Sequence, residues 1–242
     1  MAGQDSLVGG SGADRLDGGS EADTLEGGGD GDTLVGGDGA DSLVGGSGSD
    51  SLSGDDGTDI LEGGADADTL DGGVGGDADV LDGGAGDDRY YARGDGAADT
   101  YNDSGTGGTD VIELLNGTGS DFRLGNTFNG SNDIEQIDGS SVSGATLTVA
   151  SGGTANWDFS STTLTGIDSL IGGGNNDTIT GSGAADVIRG GGGADDLIGG
   201  NSGDTLFGEA GQDSLVGGSG ADRLDGGTGN DTLDGGGARE TV

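Results

Sequence analysis

The chain has 242 residues, and 46 acidic residues against 7 basic ones give a formal net charge of −39. This charge excludes nucleic acid and anionic membranes as partners and favours cations, while the absence of Cys and His excludes disulfides, His-based zinc sites and Ser/His/Asp or Cys/His catalysis. Since no apolar run is long enough to span a bilayer and no charged-then-apolar leader begins the chain, the sequence predicts neither membrane insertion nor an N-terminal signal peptide.

A nine-residue unit dominates the chain: Gly-Gly-x-Gly-x-Asp-x-(Leu/Ile/Val)-x, as in Gly9–Asp17. Low hydrophobicity with high net charge is typical of disorder, but a strict period that keeps one apolar residue in phase predicts a repeat fold. We therefore expect conditional order, with folding on cation binding. The first array, residues 1–103, places its in-phase aspartates at Asp5, Asp14, Asp23, Asp32, Asp41, Asp50, Asp59, Asp68, Asp79, Asp88 and Asp99.

Residues 104–166 lack the unit and form a predicted insert. Short β-branched runs such as Ala145–Val149, with turn signals at Asn116-Gly117 and Asn129-Gly130, predict strands and turns rather than helices. Seven of the eight aromatic residues lie in or just before this segment. Two interpretations remain open: a thicker β segment that fixes the register of the two arrays, or a ligand-binding surface.

The period resumes in a second array, residues 167–236, which is followed by a short tail, 237–242. Ala2–Gly19 recurs letter for letter as Ala210–Gly227 near its end. As in the first array, an apolar residue lies two places after each aspartate. The in-phase aspartates of the second array are Asp168, Asp177, Asp186, Asp195, Asp204, Asp213, Asp222 and Asp231.

The unit predicts its own local structure. Glycines at its first, second and fourth positions permit left-handed backbone in a turn, and its last three residues can form a short strand with the apolar side chain inward. Two units then make one coil, and stacked coils place Asp5, Asp23 and Asp41 on one edge and Asp14, Asp32 and Asp50 on the other. Such columns of carboxylates repel each other unless cations lie between them.

The chemistry of the available ligands selects the cation. Carboxylate and backbone carbonyl oxygens, without His or Cys, favour a hard ion, and Ca²⁺ suits an irregular cage of six to eight oxygens better than Mg²⁺ does. About one divalent ion per unit would supply about +38, which nearly balances the charge of −39. We expect a disordered calcium-free chain and a β-rich calcium-bound one.

The unit resembles the glycine-rich nonapeptide of the RTX (repeats-in-toxin) calcium-binding proteins, over roughly residues 1–103 and 167–236. The resemblance implies an all-β fold, a right-handed parallel β-roll, in which each ion is shared between turns two units apart. It implies that the aspartates named above supply carboxylate oxygens. It also implies carbonyl ligands from the turn glycines Gly10, Gly12, Gly37, Gly39, Gly46, Gly48, Gly218, Gly220, Gly227 and Gly229.

Some units depart from the pattern, and we expect weaker or distorted sites there. The fourth glycine is replaced by Glu21, Asp30, Asp66, Asn175, Ala184 or Ser202, and the second by Asp55 or Glu209. Asp and Asn tolerate left-handed backbone better than Ala does. Two extra residues also enter near Val74 to Asp79.

The resemblance further implies bacterial export by type I secretion machinery and folding outside the cell, where calcium is abundant. The chain is then expected to be a non-enzymatic extracellular or cell-surface structural protein; the alternative is the secretion and folding module of a larger enzyme or toxin. The repeated Ala2–Gly19 segment leaves two states open, a monomeric roll and a head-to-tail filament or lattice of copies. Ice binding is disfavoured, because no regular Thr column accompanies the aspartates.

Overall fold

The computed structural model describes residues 3–74, 76–93, 98–105, 107–115, 121–125, 127–128, 132–149 and 152–237. It forms two compact units, Met1–Gly119 with Asn132–Gln136, and Ser120–Ser131 with Ile137–Val242. In both units each strand pairs in parallel with the strand that follows one coil later. This confirms the predicted all-β fold, a parallel β-roll.

The first unit contains two parallel sheets, β1-β3-β5-β7-β9-β11 and β2-β4-β6-β8-β10-β12. Most of its strands have six residues, from the position after the aspartate to the third position of the next unit, so they extend three residues beyond the predicted short strand. Their bounds are β1 Ser6–Ser11, β2 Arg15–Ser20, β3 Thr24–Gly29, β4 Thr33–Asp38, β5 Ser42–Ser47, β6 Ser51–Asp56, β7 Ile60–Ala65, β8 Thr69–Asp71, β9 Val80–Ala85, β10 Arg89–Arg93, β11 Ala98–Asn102 and β12 Val111–Leu115.

The second unit contains the parallel series β13-β16-β19-β21-β23-β25 and β14-β17-β20-β22-β24-β26, together with the pair β15-β18. The first residue of β15 belongs to the first unit. The bounds are β13 Asp121–Leu124, β14 Thr127–Phe128, β15 Gln136–Asp138, β16 Ala145–Val149, β17 Asn156–Asp158, β18 Thr163–Thr165, β19 Ile167–Gly173, β20 Thr178–Thr180, β21 Val187–Gly193, β22 Asp196–Asn201, β23 Thr205–Gly211, β24 Ser214–Ser219, β25 Arg223–Asp225 and β26 Thr232–Asp234.

The core of each unit consists of stacked rows of the apolar residue at position eight. Leu25 pairs in register with Leu43, and Leu197 with Leu215, and none of the four is exposed to solvent. Side chains alternate between the two faces of a strand, so the residues on either side of each leucine point outward. The nine-residue spacing thus places one leucine per unit inside the roll.

The predicted insert also forms strands, and its aromatic residues are core residues. Trp157 pairs in register with Phe128 and with Ile179, so it continues a row of inward residues in the second unit. Phe122 and Phe159 are equally buried. This burial favours the interpretation as a thicker β segment. The turns predicted at Asn116-Gly117 and Asn129-Gly130, and the tail beyond residue 237, lie outside the described residues.

Within the described ranges no helix is long and apolar enough to cross a membrane.

Candidate calcium-binding turns

The in-phase aspartates form hydrogen-bonded ladders along the turns of each unit. The backbone N–H of one aspartate donates to Oδ1 of the aspartate one coil later: Asp23 to Asp41 at 2.7 Å and Asp195 to Asp213 at 2.9 Å. Aspartates in adjacent coils are therefore neighbours in space, as the spacing of two units predicts. The ladders run 5–23–41–59–79–99 and 14–32–50–68–88–110 in the first unit, and 177–195–213–231 and 186–204–222 in the second.

The second carboxylate oxygen of most ladder aspartates is buried and has no hydrogen-bond partner. A buried carboxylate oxygen without a partner is costly, because it has lost its water and gained nothing in exchange. In the part of the chain that the structure describes, these oxygens are Oδ2 of Asp5, Asp14, Asp23, Asp32, Asp41, Asp50, Asp59, Asp68, Asp88, Asp177, Asp195, Asp204, Asp213 and Asp222.

Apart from that of Asp5, each such oxygen lies close to the first glycine of its unit, in a cradle that most of these units complete with a carbonyl oxygen from the next coil. A methyl group on Gly18 would lie 2.5 Å from Oδ2 of Asp23 and 2.7 Å from the carbonyl oxygen of Gly36, one coil later. The same arrangement recurs at Gly27, with Asp32 and Gly45. Glycine is therefore required at the first position by close approach of a carboxylate and a carbonyl oxygen. The predicted left-handed backbone at this first position is wrong, because Gly18 and Gly27 do not have a positive φ; close packing, and not turn conformation, requires glycine there.

The glycines predicted to supply carbonyl ligands occupy the left-handed turn positions. Gly10 and Gly12, with φ of 104° and 101°, represent the set, and Gly37, Gly39, Gly46, Gly48, Gly218, Gly220, Gly227 and Gly229 all share positive φ. A side chain on Gly28 would collide with the carbonyl oxygen of Gly10, and one on Gly57 with that of Gly39. These carbonyl groups thus point along the roll toward the next coil and form columns of their own.

Burial shifts the acidity of the ladder. The pKa of Asp68 is raised to about 7 and that of Asp59 to about 6, chiefly by burial, and repulsion from the carboxylates of adjacent coils contributes to both values. The hydrogen bond from the preceding backbone N–H acts in the opposite direction but is the smaller effect. In the second unit burial raises the pKa of Asp195 and of Asp204 to about 6. Without a cation, the folded state therefore disfavours the ionised form of these ladder aspartates.

The unpartnered oxygens fit a hard cation. They are anionic, buried, and next to carbonyl oxygens rather than to hydrogen-bond donors. Oxygen ligands of these two kinds are those that Ca²⁺ takes in proteins. Within the described residues no three acidic side chains are placed so that they could hold a metal ion by themselves.

Two residues that were not among the predicted ligands take places in the ladder. Asp110 is buried, accepts the backbone N–H of Asp88 at 2.7 Å, and has its pKa raised to about 7 by burial. It lies eleven residues after Asp99, the same interval that separates Asp99 from Asp88, so the spacing of the aspartates already indicated its place. Glu135 follows it, because its carboxylate accepts the N–H of Asp110 at 2.8 Å. Glu135 lies in the segment without the repeat and is not an aspartate, so no spacing indicated its place in the ladder.

Other predicted ligands are placed differently from the majority. Asp168 is exposed and lies inside β19. Ala145 pairs with Ile167 and Thr146 with Ser169, so Asp168 is the extra residue of a β-bulge and lies outside the ladder. Oδ2 of Asp99 accepts the hydroxyl of Tyr101 at 3.1 Å.

The departures from the glycine pattern mostly keep the left-handed turn. Asp55 and Glu209, at the second position, both have φ of 71°. At the fourth position the same holds for Glu21, Asp30, Asp66 and Ser202, with φ between 69° and 80°. Non-glycine residues in this region are strained. The two extra residues before Asp79 are absorbed without a break, since Asp59 still donates to Asp79 at 2.8 Å.

The fold and the ladders together define a calcium-binding parallel β-roll. The family model of the RTX calcium-binding nonapeptide repeat, four copies long, matches residues 1–34, 26–61, 35–70, 44–78, 53–90, 74–96, 162–197 and 198–233. These ranges cover 1–96 and 162–233, well over half of the chain, and the chain belongs to the RTX calcium-binding repeat family. No curated protein matches its sequence.

Proposed function

We propose that this chain is an exported extracellular structural protein that calcium folds into a rigid roll. The observation that carries the proposal is the row of buried, unpartnered Oδ2 oxygens in both units. A chain with a net charge of −39 that buries so many carboxylates needs positive charge along its turns.

The ladder aspartates and the turn carbonyls are the groups that would hold calcium. When bound, calcium supplies the positive charge that the Oδ2 oxygens lack. A backbone N–H fixes each carboxylate through Oδ1: the N–H of Asp5 donates to Oδ1 of Asp23 at 2.6 Å, so Oδ2 of Asp23 stays beside the carbonyl of Gly36. The glycine at position one keeps this space free of carbon. In the folded roll the protein residues thus provide a set of oxygens at each turn that has an unpartnered Oδ2.

Export through type I secretion machinery agrees with this dependence on calcium. Sites built from few carboxylates and many carbonyls belong to the class of extracellular modules, which bind calcium in the 10⁻⁴ to 10⁻³ M range. Cytosolic calcium would leave such sites empty, so the chain would be unfolded during export and would fold on reaching the medium.

A calcium titration followed by far-ultraviolet circular dichroism tests the folding proposal. We expect a disordered spectrum in excess chelator and a cooperative gain of β signal with calcium, while magnesium at the same concentration gives little. Native mass spectrometry of the folded state counts the ions. The same β signal in excess chelator, together with no bound calcium by mass, would refute the proposal.

Head-to-tail assembly is the finer part of this proposal. Ala2–Gly19 at the start of the first array is identical to Ala210–Gly227 near the end of the second. The apolar residues of the first and last units are also less covered: Leu7 and Leu233 are half-buried, whereas Leu25 and Leu215 are fully buried. A copy stacked in phase would place Oδ1 of its Asp5 opposite the backbone N–H of Asp222, as within the roll. A head-to-tail contact gives an open filament when the rotation from one copy to the next does not close a ring.

Negative-stain microscopy and size-exclusion chromatography, with calcium and with chelator, test the assembly. Filaments that form only with calcium would support it. Only monomers at high protein and calcium concentrations would contradict assembly, while leaving the folding proposal intact.

The chain also fits a second role, as the secretion and folding module of a larger secreted enzyme or toxin. We infer that this chain carries no catalytic site of its own, since it has no His, Cys or Lys to serve as base or nucleophile and its in-phase aspartates are used in the ladders. Assay of the purified chain against protease, lipase and glycosidase substrates would contradict this inference if any activity survived removal of contaminants.

A further inference from the structure

One turn of the second unit satisfies its ladder aspartate without an ion. Ser182 stands where the pattern has the second glycine, and its backbone N–H donates to Oδ2 of Asp186 at 2.7 Å. Its hydroxyl lies 3.0 Å from the same oxygen and 3.2 Å from Oδ1. Both residues are buried. Since the hydroxyl also accepts the N–H of Ala184 at 3.2 Å, its proton is directed toward the carboxylate.

The carboxylate of Asp186 nevertheless occupies the usual cradle. A methyl group on Gly181 would lie 2.7 Å from Oδ2 of Asp186 and 2.6 Å from the carbonyl oxygen of Gly199, as at the other first-position glycines. The difference is therefore not the location of the oxygen. It is the presence of two protein donors at a place where the turns with an unpartnered Oδ2 have none.

The backbone of this turn also differs from that of a regular turn. In the turn of Asp195, Gly191 and Gly193 have φ of 110° and 129°. None of the described residues 182–184 has a positive φ. The carbonyl oxygen of Ser182 is displaced as a result: it would lie 3.0 Å from a methyl group on Gly200, whereas the corresponding carbonyl of Gly173 would collide with one on Gly191.

We infer that the Asp186 position binds no calcium and that Ser182 replaces the ion there. Two donors already occupy Oδ2, and the carbonyl that would complete the oxygen set is turned away. This inference rests on the proposed calcium-dependent folding of the other turns. It predicts that the protein binds fewer calcium ions than it has ladder aspartates, because this turn binds none. Protein hydrogen bonds alone would then hold the 181–186 turn.

A pair of matched Asp→Asn variants tests the inference. Asp186 and Asp195 are both buried, and each donates its backbone N–H to the next ladder aspartate at 2.9 Å, but only Asp195 has an unpartnered Oδ2. We expect Asp186→Asn to retain the calcium count of the unaltered protein in native mass spectrometry and equilibrium dialysis. Asp195→Asn should lose at least one ion. An equal loss in both variants would overturn the inference.

A gain-of-site variant gives an independent result if Asp186→Asn does not fold. Ser182→Gly combined with Ala184→Gly removes the hydroxyl and restores glycine at the second and fourth positions. We expect this protein to bind one calcium ion more than the unaltered chain; an unchanged count would overturn the role of Ser182. If the unaltered chain binds no calcium at all, the folding proposal fails rather than this inference.

Discussion

Replacing Gly27 with alanine tests the cradle directly, because the turn supplies its own control. A methyl group on Gly27 would lie 2.5 Å from Oδ2 of Asp32 and 2.7 Å from the carbonyl oxygen of Gly45. Carbon and oxygen normally approach to about 3.3 Å, so both groups must retreat by more than half an ångström. Asp32 cannot swing away freely, since Asp14 N–H holds its Oδ1 at 2.7 Å.

The magnitude follows from this overlap. Overpacking a close-packed site costs about 1–3 kcal/mol, or about a 5- to 150-fold change in an equilibrium constant at about 1.4 kcal/mol per factor of ten. Gly27→Ala should lower the free energy of unfolding at saturating calcium by that amount, and it should raise the calcium concentration at the folding midpoint.

Gly29→Ala, two residues away in the same turn, is the matched control. Gly29 is not among the residues with positive φ, and the atom nearest to an added methyl group is the Ser47 hydroxyl at 3.5 Å, an ordinary contact. At such a position alanine stabilises by about 0.4–1 kcal/mol, because it restricts the unfolded chain. Urea unfolding in calcium, with circular dichroism as the signal, compares the two variants. If Gly27→Ala and Gly29→Ala were equally stable, the explanation that the space at Gly27 excludes a methyl group would be refuted.

Two further predictions concern acidity and the core. Burial raises the pKa of Asp68 and that of Asp110 to about 7 in the folded state, above the ordinary value of 3.8. The folded state therefore binds more protons than the unfolded chain between these values, and the calcium-free roll must lose stability as pH rises from about 4 to about 7. Acidifying the chelated protein should therefore increase its β signal by circular dichroism, and an unchanged spectrum down to pH about 4 would contradict this sign. Leu197 is fully buried, so Leu197→Ala should destabilise the calcium-bound protein by about 2–5 kcal/mol in the same urea assay. The control is Val8→Ala. Because the Val8 side chain is 65% exposed, this change should alter stability by less than about 0.5 kcal/mol.

Much of the fold could be predicted because the roll is a translation of one short unit. Once nine residues make a turn and a strand, stacking places residues eighteen apart side by side, so the pairing of Asp23 with Asp41 and of Leu25 with Leu43 needs no further information. The same holds for the left-handed glycines of the turns. Local periodicity and the alternation of strand faces are properties of the chain itself.

The candidate site was predictable only in part, because hydrogen-bond satisfaction depends on atoms that come from different coils. The aspartate type and spacing indicated carboxylate columns, but not that Oδ1 would be used by the backbone and Oδ2 left without a partner. The bulge at Asp168 comes from the register of β16 against β19, and the entry of Glu135 into a ladder comes from the path of a segment without the repeat.

The sequence by itself determined the β-roll, the inward leucines, the acidic turns and the class of cation, since each follows from the period of nine and from the residue types within it. Only the tertiary structure decided which carboxylate oxygens lack a partner. It also distinguished Asp195, whose Oδ2 is unpartnered, from Asp186, whose carboxylate Ser182 satisfies. The physical reason is that a period fixes where each residue lies, whereas the partner of a buried oxygen is decided by the backbone conformation of each turn and by the coil stacked against it.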